Sequence, residues 1–136
     1  LRQWEAQGGH ERIRVEQRFE HDLPAIQVDP EQVKEALMNL LINAREAMPK
    51  GGTLTLTTRA GQHNEVEVEV ADTGSGIAPE HLSRIFEPFF TTKAYGTGLG
   101  LTNVKRLVED NGGTLVVNST VGTGTTCTLR FRAAAG

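Results

Sequence analysis

The stretch "EVEVEVAD" at residues 65–72 sets a valine at every second position, with glutamates between. Side chains on a strand alternate between faces, so Val66, Val68 and Val70 share one face and the glutamates the other. "TLTLTTR" at 53–59 carries the same alternation just upstream. The two read as an antiparallel hairpin with one buried face and one wet face. A sheet with a single apolar face needs a second layer to cover it.

Two segments have the period to supply that layer. In "DPEQVKEALMNLLINAREAM" (29–48), Val33, Leu37, Leu40, Leu41, Ala44 and Met48 recur at helical spacing. Asp29 suits the N-cap, Pro30 the first helical position and Glu31 the positive helix end. "LGLTNVKRLVEDNGG" (99–113) carries Leu101, Val104, Leu107 and Val108 on one stripe and ends at Gly112 or Gly113. A short helix is expected at "PEHLSRIF". "ERIRVEQRFE" (11–20) reads as a half-buried strand with Ile13, Val15 and Phe19 on one face, and "TLVVNST" and "TTCTLRF" as a closing hairpin across "VGTG". The expected fold is α/β (α+β): a two-layer sandwich with a mixed, mainly antiparallel sheet covered by helices on one face. Residues 10–133 form the expected domain. Residues 1–9, with Leu1 and Trp4, read as the tail of a preceding linker or helix, and 134–136 as a frayed end.

Composition removes several function classes. The chain has 136 residues, 38% hydrophobic and 5% aromatic, so its core is aliphatic and large enough for one domain. A net charge of −3 with interspersed signs gives no nucleic-acid footprint. The single cysteine, Cys127, excludes an internal disulfide and a cysteine-based zinc site. No apolar run approaches the ~18 residues of a membrane span, and no signal-peptide pattern is present. A first residue other than methionine leads us to expect a piece of a longer protein.

Three features carry chemistry. Glu35, Asn39, Asn43 and Glu46 make a polar stripe on the first helix, roughly opposite the apolar one. Such a stripe is commonly just solvated, yet asparagine is a poor helix-interior residue, and a carboxamide oxygen suits a magnesium ion that already carries phosphate. "DTGSG" follows a strand directly. It is either a strand-end turn or a backbone that Gly74 and Gly76 bring close to a flat ligand, with Asp72 accepting from an amino group. "GTGLGL" opens the second long helix, where Gly96, Gly98 and Gly100 leave N–H groups unobstructed at a positive helix end, an anion site. It matches neither the dinucleotide fingerprint nor the P-loop. Lys93, three residues upstream of Gly96, is either a solvated loop lysine or a phosphate contact.

In their order these pieces closely resemble the ATP-binding catalytic domain of sensor histidine kinases, in the superfamily shared with gyrase, Hsp90 and MutL ATPases. The resemblance covers nearly all of residues 12–131. "DPEQVKEALMNLLINAREAM" looks like the N box, "DTGSGI" the first glycine box, "IFEPFFTTK" the F box and "GTGLGL" the second glycine box. It implies two ligands, ATP and Mg2+. It implies Asn43 as the magnesium ligand, and Asp72 on the adenine amino group with Gly76 and Thr125 or Thr126 completing that pocket. Gly74 and Ile77 belong to the same box. Residues 77–97 would be an ATP lid, with Phe86, Phe89 and Phe90 as its apolar packing residues. Lys93, Gly96, Thr97, Gly98, Leu99, Gly100 and Leu101 would line the phosphate side.

Asn39 stands where the hydrolytic relatives carry a glutamate that activates water. An amide cannot take that proton, which favours transfer to a histidine over hydrolysis. None of His10, His21, His63 and His81 sits in an acceptor box, so the implied partner is a dimerisation and histidine phosphoacceptor domain of the same protein, absent from this chain, with a response regulator downstream. The isolated chain is then expected to be a cytoplasmic monomer, from a parent with or without a membrane anchor. Two departures stand out: Glu46 replaces a usual phosphate-contacting lysine, leaving Lys93 or Arg84 to substitute, and Cys127 replaces a usual aromatic and is expected to be a buried core thiol. Alternative readings are a nucleotide-sensing pseudokinase and an anti-sigma-type serine kinase module.

Overall fold

The computed structural model describes residues 12–86 and 100–134. The described elements, in chain order, are β1 (Ile13–Phe19), α1 (Pro30–Glu46), β2 (Gly52–Ala60), β3 (Glu65–Asp72), α2 (Pro79–Leu82), α3 (Gly100–Asp110), β4 (Thr114–Thr120) and β5 (Gly124–Arg132). The strands form one five-stranded sheet in the order β1-β2-β3-β5-β4. β1 and β2 pair in parallel and every other pair is antiparallel. The parallel pair follows from the chain order: a helix, α1, lies between the two strands and serves as the crossover that parallel pairing needs.

α1 starts where its cap dictates. The Asp29 side chain accepts from the N–H groups of Glu31 (2.9 Å) and Gln32 (3.3 Å), and Pro30 fills the first turn. Its buried face is Ala36, Leu40, Leu41 and Ala44. These meet Val104, Leu107 and Val108 of α3 and the inward residues Leu54, Val70, Cys127, Leu129 and Phe131 of the sheet in one apolar cluster. Gly112, at φ +75°, ends α3, with Gly113 N–H donating to Val108 O (2.9 Å). Asn111 ties the two long helices end to start. Its Nδ2 donates to Gln32 Oε1 (2.9 Å) and to Leu107 O (2.8 Å), and its Oδ1 accepts from Asp29 N–H (2.7 Å).

The outward face of the sheet is polar. Glu67 accepts from Arg59 Nε and Arg130 Nε, each at 2.8 Å, across three neighbouring strands. Two expectations change at the margins. Phe19 was expected on the buried face with Ile13 and Val15, but it is 50% exposed, because β1 is an edge strand and its far end rims an open apolar groove beside α1. Ala134, expected in a frayed end, donates its N–H to Ala25 O (2.7 Å).

Candidate functional site

A solvent-open cleft lies where the C-terminal half of α1, the end of β3 and the start of β5 converge. Its walls are small and aliphatic: Leu40 and Ala44 from α1, Val70 from β3, Ile77 from the following loop and Leu101 from α3. Its polar side chains are few, namely Asn43, Asp72 and Thr125. An apolar slot with a few convergent polar groups is the build of a small-molecule site.

Asp72 owes its position to strand register. Val66, Val68, Val70 and Asp72 alternate onto the helix-covered face, and Asp72 is the last residue of β3. Its Oδ1 accepts from Gly74 N–H (2.8 Å). Burial pushes the carboxyl pKa above its ordinary value, against the opposing pull of hydrogen bonds from the Gly74 and Thr125 backbones. The result is a fixed, half-desolvated acceptor facing a flat slot.

The two glycines of "DTGSG" have a packing reason as well. A Cβ on Gly74 would stand 2.4 Å from Ala47 O at the end of α1, and one on Gly76 would stand 2.1 Å from Thr120 O in the β4–β5 hairpin. The loop is wedged between helix and hairpin and stitched to both: Ser75 N–H donates to Ala47 O (3.1 Å), and Gly122 N–H donates to Ser75 O (2.8 Å). Gly76 also lines the cleft, whereas Gly74 turns its bare face toward α1.

Asn43 stands one helical turn before Ala47 and faces the cleft. Its side-chain nitrogen is buried and has no hydrogen-bond partner among the described residues. A buried amide group normally finds a partner, so an orphan aimed into a cleft marks a place for a ligand; which end of the amide faces the cleft is free to exchange. Asn39, a turn earlier, is half-buried and lies outside the cleft lining. The stripe that holds both is not simply solvated: Glu35 accepts from Asn103 Nδ2 of α3 (2.8 Å).

Of the two candidate threonines, Thr125 lines the cleft and Thr126 takes the opposite face of β5. The apolar alternation Cys127, Leu129, Phe131 carries that parity in the sequence itself. Cys127 is a buried thiol as expected; it forms part of the cleft floor, and burial followed by the nearby Asp72 charge pushes its pKa up to about 12. Ser119 is not among the candidate site residues read from the sequence. Its Oγ accepts from Ile77 N–H (2.7 Å), lies 2.7 Å from Thr125 Oγ1 and donates to Gly124 O (3.0 Å), so it holds two cleft residues in place. Leu40 and Ala44 were assigned to the core stripe, and that stripe runs on into the cleft wall. Gly100 opens α3 and Leu101 reaches the cleft. Lys93, Gly96, Thr97, Gly98, Leu99, Phe89 and Phe90 lie outside the described residues.

No group of three or more His, Cys, Asp or Glu side chains placed to hold a metal ion occurs among the described residues. The Asn43 carboxamide is an oxygen donor that could serve a hard metal ion brought in by a phosphate ligand. No helix among the described residues is long and apolar enough to cross a membrane.

Residues 28–135 match the family described as histidine kinase-, DNA gyrase B-, and HSP90-like ATPase. Sensor histidine kinase ZraS of Escherichia coli K12 is 46% identical over 107 residues, covering 79% of this chain and 23% of its own length. Sporulation kinase E of Bacillus subtilis is 40% identical over 104 residues, covering 76% of this chain and 14% of its own. The chain therefore spans less than a quarter of the length of these curated relatives. Among solved structures, full-length ShkA in complex with AMPPNP superposes with a TM-score of 0.78 at 35% identity, over 91% of this chain and 27% of that one. The nucleotide-free catalytic domain of histidine kinase ThkA superposes with a TM-score of 0.77 at 30% identity, over 90% of this chain and 80% of that one. With residues 28–135 matching the family and the fold shared with these structures, the chain belongs to the histidine kinase-, DNA gyrase B- and HSP90-like ATPase family.

Proposed function

We propose that this chain is the catalytic domain of a sensor histidine kinase, binding Mg-ATP in the cleft and transferring its γ-phosphate to a histidine on a separate dimerisation domain of the parent protein. The observation that carries the reading is the buried, unpartnered Asn43 amide in the same cleft as the Asp72 carboxylate. Asp72 accepts from the exocyclic amino group of adenine, and Thr125 and Gly76 border the same pocket. The aliphatic walls take the two faces of the base. Asn43 holds the metal, whose charge offsets that of the phosphates. The free N–H groups at the start of α3, preceded by Gly96, Thr97, Gly98 and Leu99, receive the phosphate oxygens. Lys93 serves as a further phosphate contact.

Phosphoryl transfer asks mainly for positioning and charge neutralisation. Asn39 supplies no base to activate water, which favours a nucleophile that needs none, and a neutral imidazole is one. The nucleotide analogue bound by ShkA supports the ligand class. The parent protein is then a signalling kinase that hands its phosphate on to a response regulator. The test is to incubate the chain with labelled ATP, magnesium and a histidine-bearing dimerisation domain from a relative. Acid-labile label on that domain, absent when Asn43→Ala replaces the wild type, is the expected result. Release of free phosphate at the same rate with and without the acceptor would sink the transfer reading.

A further inference from the structure

Two side chains of α3 hold Phe86, a residue upstream of that helix. Thr102 Oγ1 donates to Phe86 O at 2.9 Å, and Lys105 Nζ lies 5.5 Å from the centroid of the Phe86 ring. Three residues apart on a helix, Thr102 and Lys105 share a face, so they grip Phe86 together. Thr102 sits in the first turn of α3, beside Leu101 of the cleft wall. From the other side Asn103 Nδ2 donates to Glu35 of α1 at 2.8 Å, and Arg106 donates to Asn103 Oδ1 at 2.5 Å. The first turn of α3 is thus braced both toward Phe86 and toward α1. A hydroxyl in a helical first turn usually bonds within its own helix or to water, whereas this one is committed to a carbonyl well upstream in the chain.

The N–H groups of that same turn have no intrahelical acceptor, and their direction is set by how the turn is held. Leu101 of that turn lines the cleft that Asn43 also lines. We infer that Thr102 is a positioning residue for the polyphosphate of the bound nucleotide, acting through the Phe86 carbonyl, with Lys105 on the Phe86 ring as its second point of hold. Thr102 does not touch the nucleotide. It fixes the aim of the amides that do, so its effect falls on the phosphate part of binding and spares the base part. The inference rests on the nucleotide reading above.

The test compares wild type, Thr102→Val and Thr102→Ser by calorimetry with Mg-ATP and by NMR shifts with adenosine, which engages only the base pocket. Thr102→Val is expected to lower ATP affinity about tenfold and to leave adenosine affinity unchanged, and Thr102→Ser, which keeps the hydroxyl, to bind ATP as wild type does. ATP binding by Thr102→Val equal to wild type overturns the inference. So does a parallel loss of ATP and adenosine that Thr102→Ser does not repair, which is what general loosening of α3 would give. If Thr102→Val does not fold, Lys105→Met decides: a selective loss of ATP supports the hold on Phe86, and unchanged ATP binding overturns it. Wild type that binds neither ligand would refute the nucleotide reading itself, a separate outcome.

Discussion

Gly76 and Gly112 have the same backbone angle, φ +75°, in different surroundings, and the pair separates strain from collision. Alanine in the left-handed region costs about 1–2 kcal/mol wherever it occurs. At Gly112 that is the whole cost, since a Cβ there meets nothing within 4 Å. At Gly76 the Cβ would stand 2.1 Å from Thr120 O, 2.7 Å from Thr120 C and 2.9 Å from Val121 Cα. All three are backbone atoms, so no rotamer change relieves them, and the hairpin must back away by roughly 1 Å in a close-packed junction. That movement breaks the Ile77 N–H to Ser119 Oγ bond (2.7 Å) and the Gly122 N–H to Ser75 O bond (2.8 Å). At a net of about 1 kcal/mol for each bond plus the strain, Gly76→Ala should cost about 3–4 kcal/mol, against about 1–2 for Gly112→Ala. A loss of that size is a large part of a typical domain stability of about 5–15 kcal/mol. Urea unfolding followed by circular dichroism measures both variants against wild type. Equal losses in the two would show that the first glycine loop is not wedged against the β4–β5 hairpin, and the account of Gly76 would be wrong.

Asp72→Asn replaces a fixed acceptor by an amide that can turn and donate; it should weaken ATP by about 1.5–3 kcal/mol, roughly ten- to more than a hundredfold, and relax the preference for adenine. Calorimetry with ATP and GTP reads both, and unchanged ATP affinity in a folded variant removes Asp72 from the site. The raised Asp72 pKa has a sign to check: the folded chain holds this proton more tightly than the unfolded chain, so its contribution to stability is present at low pH and is lost as pH rises through the folded value. Wild type should therefore lose stability relative to Asp72→Asn as pH climbs from the ordinary aspartate range, and wild-type ATP affinity should fall on acidification at a higher pH than an ordinary aspartate would give. Parallel stability curves for the two proteins would contradict the shift. Asn43→Ala removes an amide group that has no protein partner, so stability should stay within about 1 kcal/mol of wild type while the magnesium-dependent part of ATP binding disappears; a large fall in melting temperature would mean that Asn43 serves the fold. Asn111→Ala breaks three bonds, two of which join the end of α3 to the start of α1, for an expected loss of about 1–3 kcal/mol in urea unfolding, and a neutral result would show that the helix junction is held by apolar contacts alone.

The elements were legible because their signals are local. Alternating Val66, Val68 and Val70, the Asp29-Pro30 start of α1 and the glycine stop of α3 each act within one strand length or one helical turn, and the sequence carries them without reference to anything distant. The same locality gave the order of the motifs and, through the resemblance, the candidate residues of the site. Other features depended on segments far apart in the chain. Asp72 meets Thr125 rather than Thr126 because β3 and β5 pair in one register, with Asp72 opposite Thr125. Glu35 looked solvated until α3 placed Asn103 against it. Phe19 looked buried until the strand order left β1 at an edge. Gly74 and Gly76 read either as a strand-end turn or as ligand contacts, and only the approach of Ala47 and Thr120 shows why a Cβ is excluded there. The role of Ser119 shows only in the fold, because it consists of partners brought by the hairpin and the loop. Local pattern fixes which face of an element is apolar. Which faces meet, and which polar atom is left without a partner in the cleft between them, is settled by the packing of the whole chain, since a contact between distant residues exists only once every element has found its place.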